Sequence, residues 1–124
     1  SMQSGNMVTF TARMSGASEV PAVRTDGTGM VEASLNKDTQ VLKWKITYSG
    51  LSGPAAAAHF HGPAAAGSNA GVVVPFASAA SPIEGQATLT PAQVADLMAG
   101  KWYANVHTAA NKGGEIRGQM MPGM

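Results

Sequence analysis

The sequence predicts an all-β fold: a Greek-key sandwich or barrel of seven to eight short strands, with one short helix at about residues 91–99. Three observations predict it. Apolar and polar residues alternate with a period of two in several runs. Clusters of Gly, Pro, Asn and Ser separate those runs at short intervals. A single stretch carries the 3.6-residue period of a helix.

Residues 8–14 open the series, with Val8, Phe10, Ala12 and Met14 on one face and Thr9, Thr11 and Arg13 on the other. The segment Ser15 to Pro21 reads as a loop. Residues 28–35 set Gly29, Val31, Ala33 and Leu35 against Thr28, Met30, Glu32 and Ser34, and Asn36-Lys37-Asp38 suits a hairpin turn. In the next strand Leu42, Trp44, Ile46 and Tyr48 face inward, while Lys43, Lys45 and Thr47 face out. Ser49 to Pro54 turns the chain into a strand of about residues 56–61, and a small-residue loop spans Gly62 to Gly71. Val72-Val73-Val74 starts a short apolar strand. Ile83, Gly85, Ala87 and Leu89 alternate with Glu84, Gln86 and Thr88. The helix follows. Thr90 can cap its start, Pro91 suits the first helical position, and Gln93 completes a capping box. Val94, Leu97 and Met98 form its apolar stripe, and Gly100 ends it. Residues 102–107 and 115–121 close the chain as two strands.

The expected organisation is one domain over residues 7–121. Residues 1–6 are expected to be an expression scar, marked by Ser1-Met2, or a disordered N-terminus, and residues 122–124 a flexible tail. A net charge of +1 without a basic cluster argues against nucleic-acid binding. No apolar run approaches the roughly 20 residues of a membrane span, so no membrane insertion is expected. With no cysteine, disulfides, thiolate metal sites and cysteine nucleophiles are excluded.

The chain has three histidines: His59 and His61 around Phe60, and His107. On a strand, residues i and i+2 point to one face with Cα atoms roughly 6.5–7 Å apart. Two imidazoles can then converge on one ion at about 2.0–2.1 Å each. Strand parity places Ala58, Phe60, Trp102, Ala104, Val106, Ile116 and Met120 in the core. All three histidines therefore belong to outer faces, with Tyr103, Asn105, Glu115, Arg117, Gln119 and Met121. The expected site is an external polar patch on the wall of the sandwich.

The motifs Ser15-Gly16-Ala17-Ser18-Glu19-Val20-Pro21, Ala58-His59-Phe60-His61-Gly62-Pro63-Ala64, Asn105-Val106-His107-Thr108 and Gly114-Glu115-Ile116-Arg117-Gly118-Gln119 resemble the CHRD (chordin) domain in order and spacing. Ala22, Lys112 and the methionine-rich end depart from its usual pattern. The resemblance implies a secreted or periplasmic β-sandwich module of immunoglobulin-like or superoxide-dismutase-like topology. The family is in turn distantly similar to copper–zinc superoxide dismutase. This likeness implies that His59, His61 and His107 bind copper, and that Arg117 is a candidate for anion steering. Nothing in the chain matches the bridging histidine or the zinc-site carboxylate of that enzyme.

Three imidazoles without a thiolate suit copper, zinc or nickel, because imidazole accepts all of them; the affinity order and the resemblance favour copper, with zinc the alternative. Met121 is the candidate fourth ligand. Asn105, Glu115 or a backbone carbonyl is expected to hold the imidazoles by their second nitrogens, with Tyr103 a wall of the pocket. Glu115 and Arg117 are alternatively expected to pair with each other at the surface. The leading functional expectation is copper binding, transfer or electron transfer. A non-catalytic interaction module, with a protein partner or a homodimer, is second. A copper-only enzyme of superoxide dismutase type is third, so an enzyme is not the favoured reading.

Overall fold

The computed structural model describes residues 6–123, and the expectations for residues 1–5 and for Met124 lie outside it. The strands are β1 Met7–Ser15, β2 Thr28–Asn36, β3 Val41–Ser49, β4 Ala55–His61, β5 Val72–Pro75 and β6 Ile83–Thr88. Helix α1, Pro91–Met98, precedes β7 Tyr103–Thr108, β8 Ile116–Gln119 and β9 Met121–Pro122. Pairing is antiparallel throughout, in the order β5-β4-β7-β8-β1-β2-β3-β6, with β9 beside β1. The chain crosses between the two halves after β3, β5 and β6, which gives a nearly closed Greek-key barrel.

The alternation that predicts each strand also sets its register. Phe10 lies opposite Ala33, Ala12 opposite Val31, and Val31 opposite Ile46, so like faces meet across the ladders. Phe10, Val31, Leu35, Leu42, Ile46, Phe60, Trp102, Val106, Ile116 and Met120 are fully buried in one cluster. Trp44 of β3 meets Phe60 of β4 edge-on at 5.2 Å between ring centres, joining the two halves across the core. Gly85 sits opposite Trp44 because a Cβ there would come within 2.7 Å of the indole.

The helix keeps both capping hydrogen bonds: Gln93 N–H donates to Thr90 Oγ1, and Thr90 N–H to Gln93 Oε1. Gly100, at φ +74°, stops it, with Lys101 N–H donating back to the Asp96 carbonyl. No helix among the described residues is long and apolar enough to cross a membrane.

The expected single strand 115–121 is divided. β8 pairs with β7, whereas β9 pairs with β1, and between them Met120 N–H donates to the Trp102 carbonyl. The chain transfers from one ladder to the next there, which creates the ninth strand. The tail expected from residue 122 is held as far as Gly123. Pro122 pairs with Phe10, and Gly123 N–H donates to the Thr9 carbonyl at 2.6 Å. Asn6, assigned to the N-terminal segment, accepts from Lys37 N–H at 2.8 Å.

Candidate metal centre

β4 and β7 are neighbours, so the topology brings together the two segments that carry histidine. Their register sets Ala57 opposite His107, His59 opposite Asn105 and His61 opposite Tyr103. His59 and His107 are thus diagonal neighbours on one face, within reach of long side chains. His59 Nδ1 lies 3.1 Å from His107 Nε2. The three rings each present one nitrogen such that these atoms lie within 4.8 Å of one another. A tetrahedral ion at 2.0–2.1 Å keeps its ligands about 3.3 Å apart, close to the spacing of the His59–His107 pair. Against β5 the register shifts between Phe60 and His61, a local irregularity of the kind that re-aims a side chain.

Backbone carbonyls fix two of the three tautomers. His61 Nδ1 is 3.0 Å from the Ala70 carbonyl oxygen, and His107 Nδ1 is 2.8 Å from that of Lys112. A carbonyl only accepts, so each Nδ1 carries a proton, which in the neutral ring leaves the lone pair on Nε2. In His61 that Nε2 is buried and has no hydrogen-bond partner. Burial lowers the pKa of His59, helped by repulsion from His107 and His61. Burial also lowers that of His61, against the opposing hydrogen bond to Ala70. Both rings are therefore neutral at pH 7, the state a metal ligand requires. The donor set fits a borderline ion with three nitrogen ligands and a further position left to solvent or substrate.

The surroundings differ from the expected external patch. His59 and His107 are half-buried, but His61 retains only 8% of its exposure, Tyr103 2%, Asn105 1% and Arg117 4%. Two loops fold over the outer face of β7 and β8. One runs from Gly16 to Val23, beginning with a 3-10 turn at Gly16–Ser18, and the other from Gly62 to Gly71. Parity put these side chains on the correct face, and the loops make that face a second polar layer.

Arg117 is not placed to steer anions. Its Nε donates to Glu19 Oε1 at 3.0 Å, Nη1 to the Ser68 carbonyl at 3.1 Å and Nη2 to Asn69 Oδ1 at 2.5 Å. Its Cζ lies 3.8 Å from the centre of the Tyr103 ring. Tyr103 stacks in turn on His61, with ring centres 4.8 Å apart and planes within 3°. Tyr103 thus contacts both the Arg117 guanidinium and the His61 ring. Its hydroxyl donates to the Ala70 carbonyl and accepts from Ala70 N–H, both at 3.1 Å.

Glu115 pairs neither with Arg117 nor with a histidine. It is fully buried and accepts from Thr25, Ser52, Thr108 and Asn111 side chains and from Ser52 N–H. Burial alone would raise its pKa, but the Ser52, Thr25 and Thr108 hydrogen bonds outweigh it and hold the group at about 2. Glu115 thereby ties down the 108–115 turn, from which the Lys112 carbonyl reaches His107. Asn105 donates to the Gly113 carbonyl at 3.4 Å and stands close to both Glu19 and His61. Gly114, at φ +122°, leaves the space that Glu19 and Asn105 occupy, since its Cβ would lie 2.5 Å from Asn105 Nδ2.

Met121 is not brought to the histidines. It is exposed on β9, opposite Thr11, with its sulfur beside Gly100 at the end of β7 remote from His107. The break at Met120 displaces it from the β8 face. Glu19 is the residue that strand reasoning missed. It sits in a loop motif without periodicity, and its partner Arg117 is 98 residues away.

No curated protein and no solved structure shows detectable similarity to the chain. The CHRD domain profile matches residues 10–120, a span that holds most of β1, all of β2 to β8 and all three histidines. The chain belongs to the CHRD domain family.

Proposed function

We propose that this CHRD domain is an extracytoplasmic metal-binding protein with a mononuclear centre formed by His59, His61 and His107, and that its ion is copper, used for copper binding, transfer or electron transfer. The observation that carries the reading is the buried, unpartnered Nε2 of His61 within a three-imidazole cluster. A buried polar atom without a partner is costly, and an ion would satisfy it. Copper would supply one-electron chemistry at this position. The protein's own part is to bring the three rings together and to fix the tautomers of His61 and His107 through the Ala70 and Lys112 carbonyls. Copper over zinc rests on the affinity order for imidazole sites and on the likeness to copper-binding barrels. The extracytoplasmic placement rests on the resemblance to secreted modules. Dismutase-type catalysis has less support, because Arg117 is committed to Glu19, Ser68 and Asn69.

Isothermal titration with Cu(II) and Zn(II) tests this reading. The expected result is one equivalent per chain, tighter for Cu(II), with His107→Ala weakening it at least a hundredfold, about 2.7 kcal/mol. Equal affinities for the wild type and His107→Ala would reject the centre and favour a non-catalytic interaction module.

A further inference from the structure

The loop from Gly62 to Gly71 contains only Gly, Ala, Ser, Asn and one Pro, so no large apolar anchor sets its place over the barrel. Polar contacts set it instead. At its first end Gln119 Nε2 donates to the Ala64 carbonyl, and Ala64 N–H to that of Lys101. At its second end Arg117 holds the Ser68 carbonyl and the Asn69 side chain, and Tyr103 holds both backbone groups of Ala70. Asn69 also donates to the Val20 carbonyl, linking this loop to the one that carries Glu19.

Two contacts define the His61 ring: the Tyr103 ring on which it stacks and the Ala70 carbonyl that binds its Nδ1. Both are attached to one guanidinium. Arg117 lies over Tyr103, in the stack that also holds His61, and it grips the two residues immediately before Ala70. Its Nε is aligned by Glu19, whose side chain is itself buried. We propose, on the basis of the three-histidine reading, that Arg117 is the positioning residue of the metal centre, fixing the plane and tautomer of His61 through Tyr103 and the Ser68–Ala70 segment. A lysine cannot take its place. A single ammonium on a flexible stem lacks the planar fork that spans Glu19, Ser68 and Asn69 while lying flat on an aromatic face.

The test uses Arg117→Lys, with Asn69→Ala as an exposed variant that leaves the core intact and Gln119→Ala as a control that frees the other end of the loop and the Gly100 carbonyl but no partner of His61. In metal-free protein, the side-chain 15N resonances of His61 are expected to move toward averaged tautomers in Arg117→Lys, while those of His107 stay in place. With Cu(II) as the probe, the dissociation constant is expected to rise roughly 10–100-fold and the parallel hyperfine coupling of the electron paramagnetic resonance spectrum to shift. Asn69→Ala moves the same readouts less, and Gln119→Ala leaves them at wild-type values. Wild-type His61 resonances and a wild-type Cu(II) spectrum in folded Arg117→Lys would overturn the proposal, whatever its melting temperature. If the lysine variant does not fold, unchanged His61 resonances in Asn69→Ala overturn it, and so does a Gln119→Ala protein that reproduces the shifts. A wild-type protein that takes up no Cu(II) counts against the three-histidine centre alone, because the metal-free spectra read the hold on His61 separately.

Discussion

Replacing Glu115 with alanine is expected to destabilise the domain by about 3–5 kcal/mol, because five hydrogen bonds to one buried carboxylate are lost at once. Thr25, Ser52 and the Thr108–Asn111 turn come from three separate parts of the chain, and all converge on this carboxylate. Glu115→Gln keeps the shape but not the charge, and its amide nitrogen faces donors, so it should recover only part of the loss. Chemical denaturation of the three proteins at pH 7 measures this. A loss below about 1 kcal/mol for the alanine variant would mean that the knot contributes no more than one ordinary hydrogen bond.

The same group predicts an acid response. Its pKa is about 2 in the folded chain against the ordinary 4.5. The unfolded chain thus binds the proton more readily, and stability rises with pH between those values. The contribution is fully present above pH 4.5 and is lost as pH falls toward 2. Glu115→Gln should flatten that part of the stability–pH curve. An unaltered curve would place the acid response elsewhere.

His61→Ala is expected to abolish stabilisation by metal. An ion that binds only the folded state adds about 2.7 kcal/mol at a hundredfold excess over its dissociation constant. For a domain of this size that corresponds to a rise in melting temperature of roughly 8–16 °C. Calorimetric scans of wild type and His61→Ala, with and without Cu(II), are expected to show the rise in the first protein only. An equal rise in both would locate binding away from His61.

The barrel was legible in the sequence wherever packing is apolar and local. Alternation in residues 8–14, 28–35 and 42–48 named the inward faces of β1, β2 and β3, and Thr90, Gln93 and Gly100 marked both ends of the helix. Parity also put His59, His61 and His107 on one kind of face, and the pairing of β4 with β7 makes it one surface. What covers that surface was not legible. The loops over it carry glycine, alanine, serine and asparagine, so no apolar period signals that they fold back on the sheet. Their contacts are polar and distant in sequence, as Arg117 with Glu19 and Asn105 with Gly113 show. Outward parity therefore points to exposure, whereas His61, Asn105 and Arg117 are buried. The change of ladder at Met120 escaped for a related reason: a strand that leaves one partner for another keeps its alternation but moves its next side chain, Met121, away from the site.

X-ray diffraction at the copper absorption edge, from crystals grown with Cu(II), tests the central claim most directly. One anomalous peak is predicted at about 2.0–2.1 Å from His59 Nδ1, His61 Nε2 and His107 Nε2. Copper found only at other positions, with these three rings unligated, would contradict it.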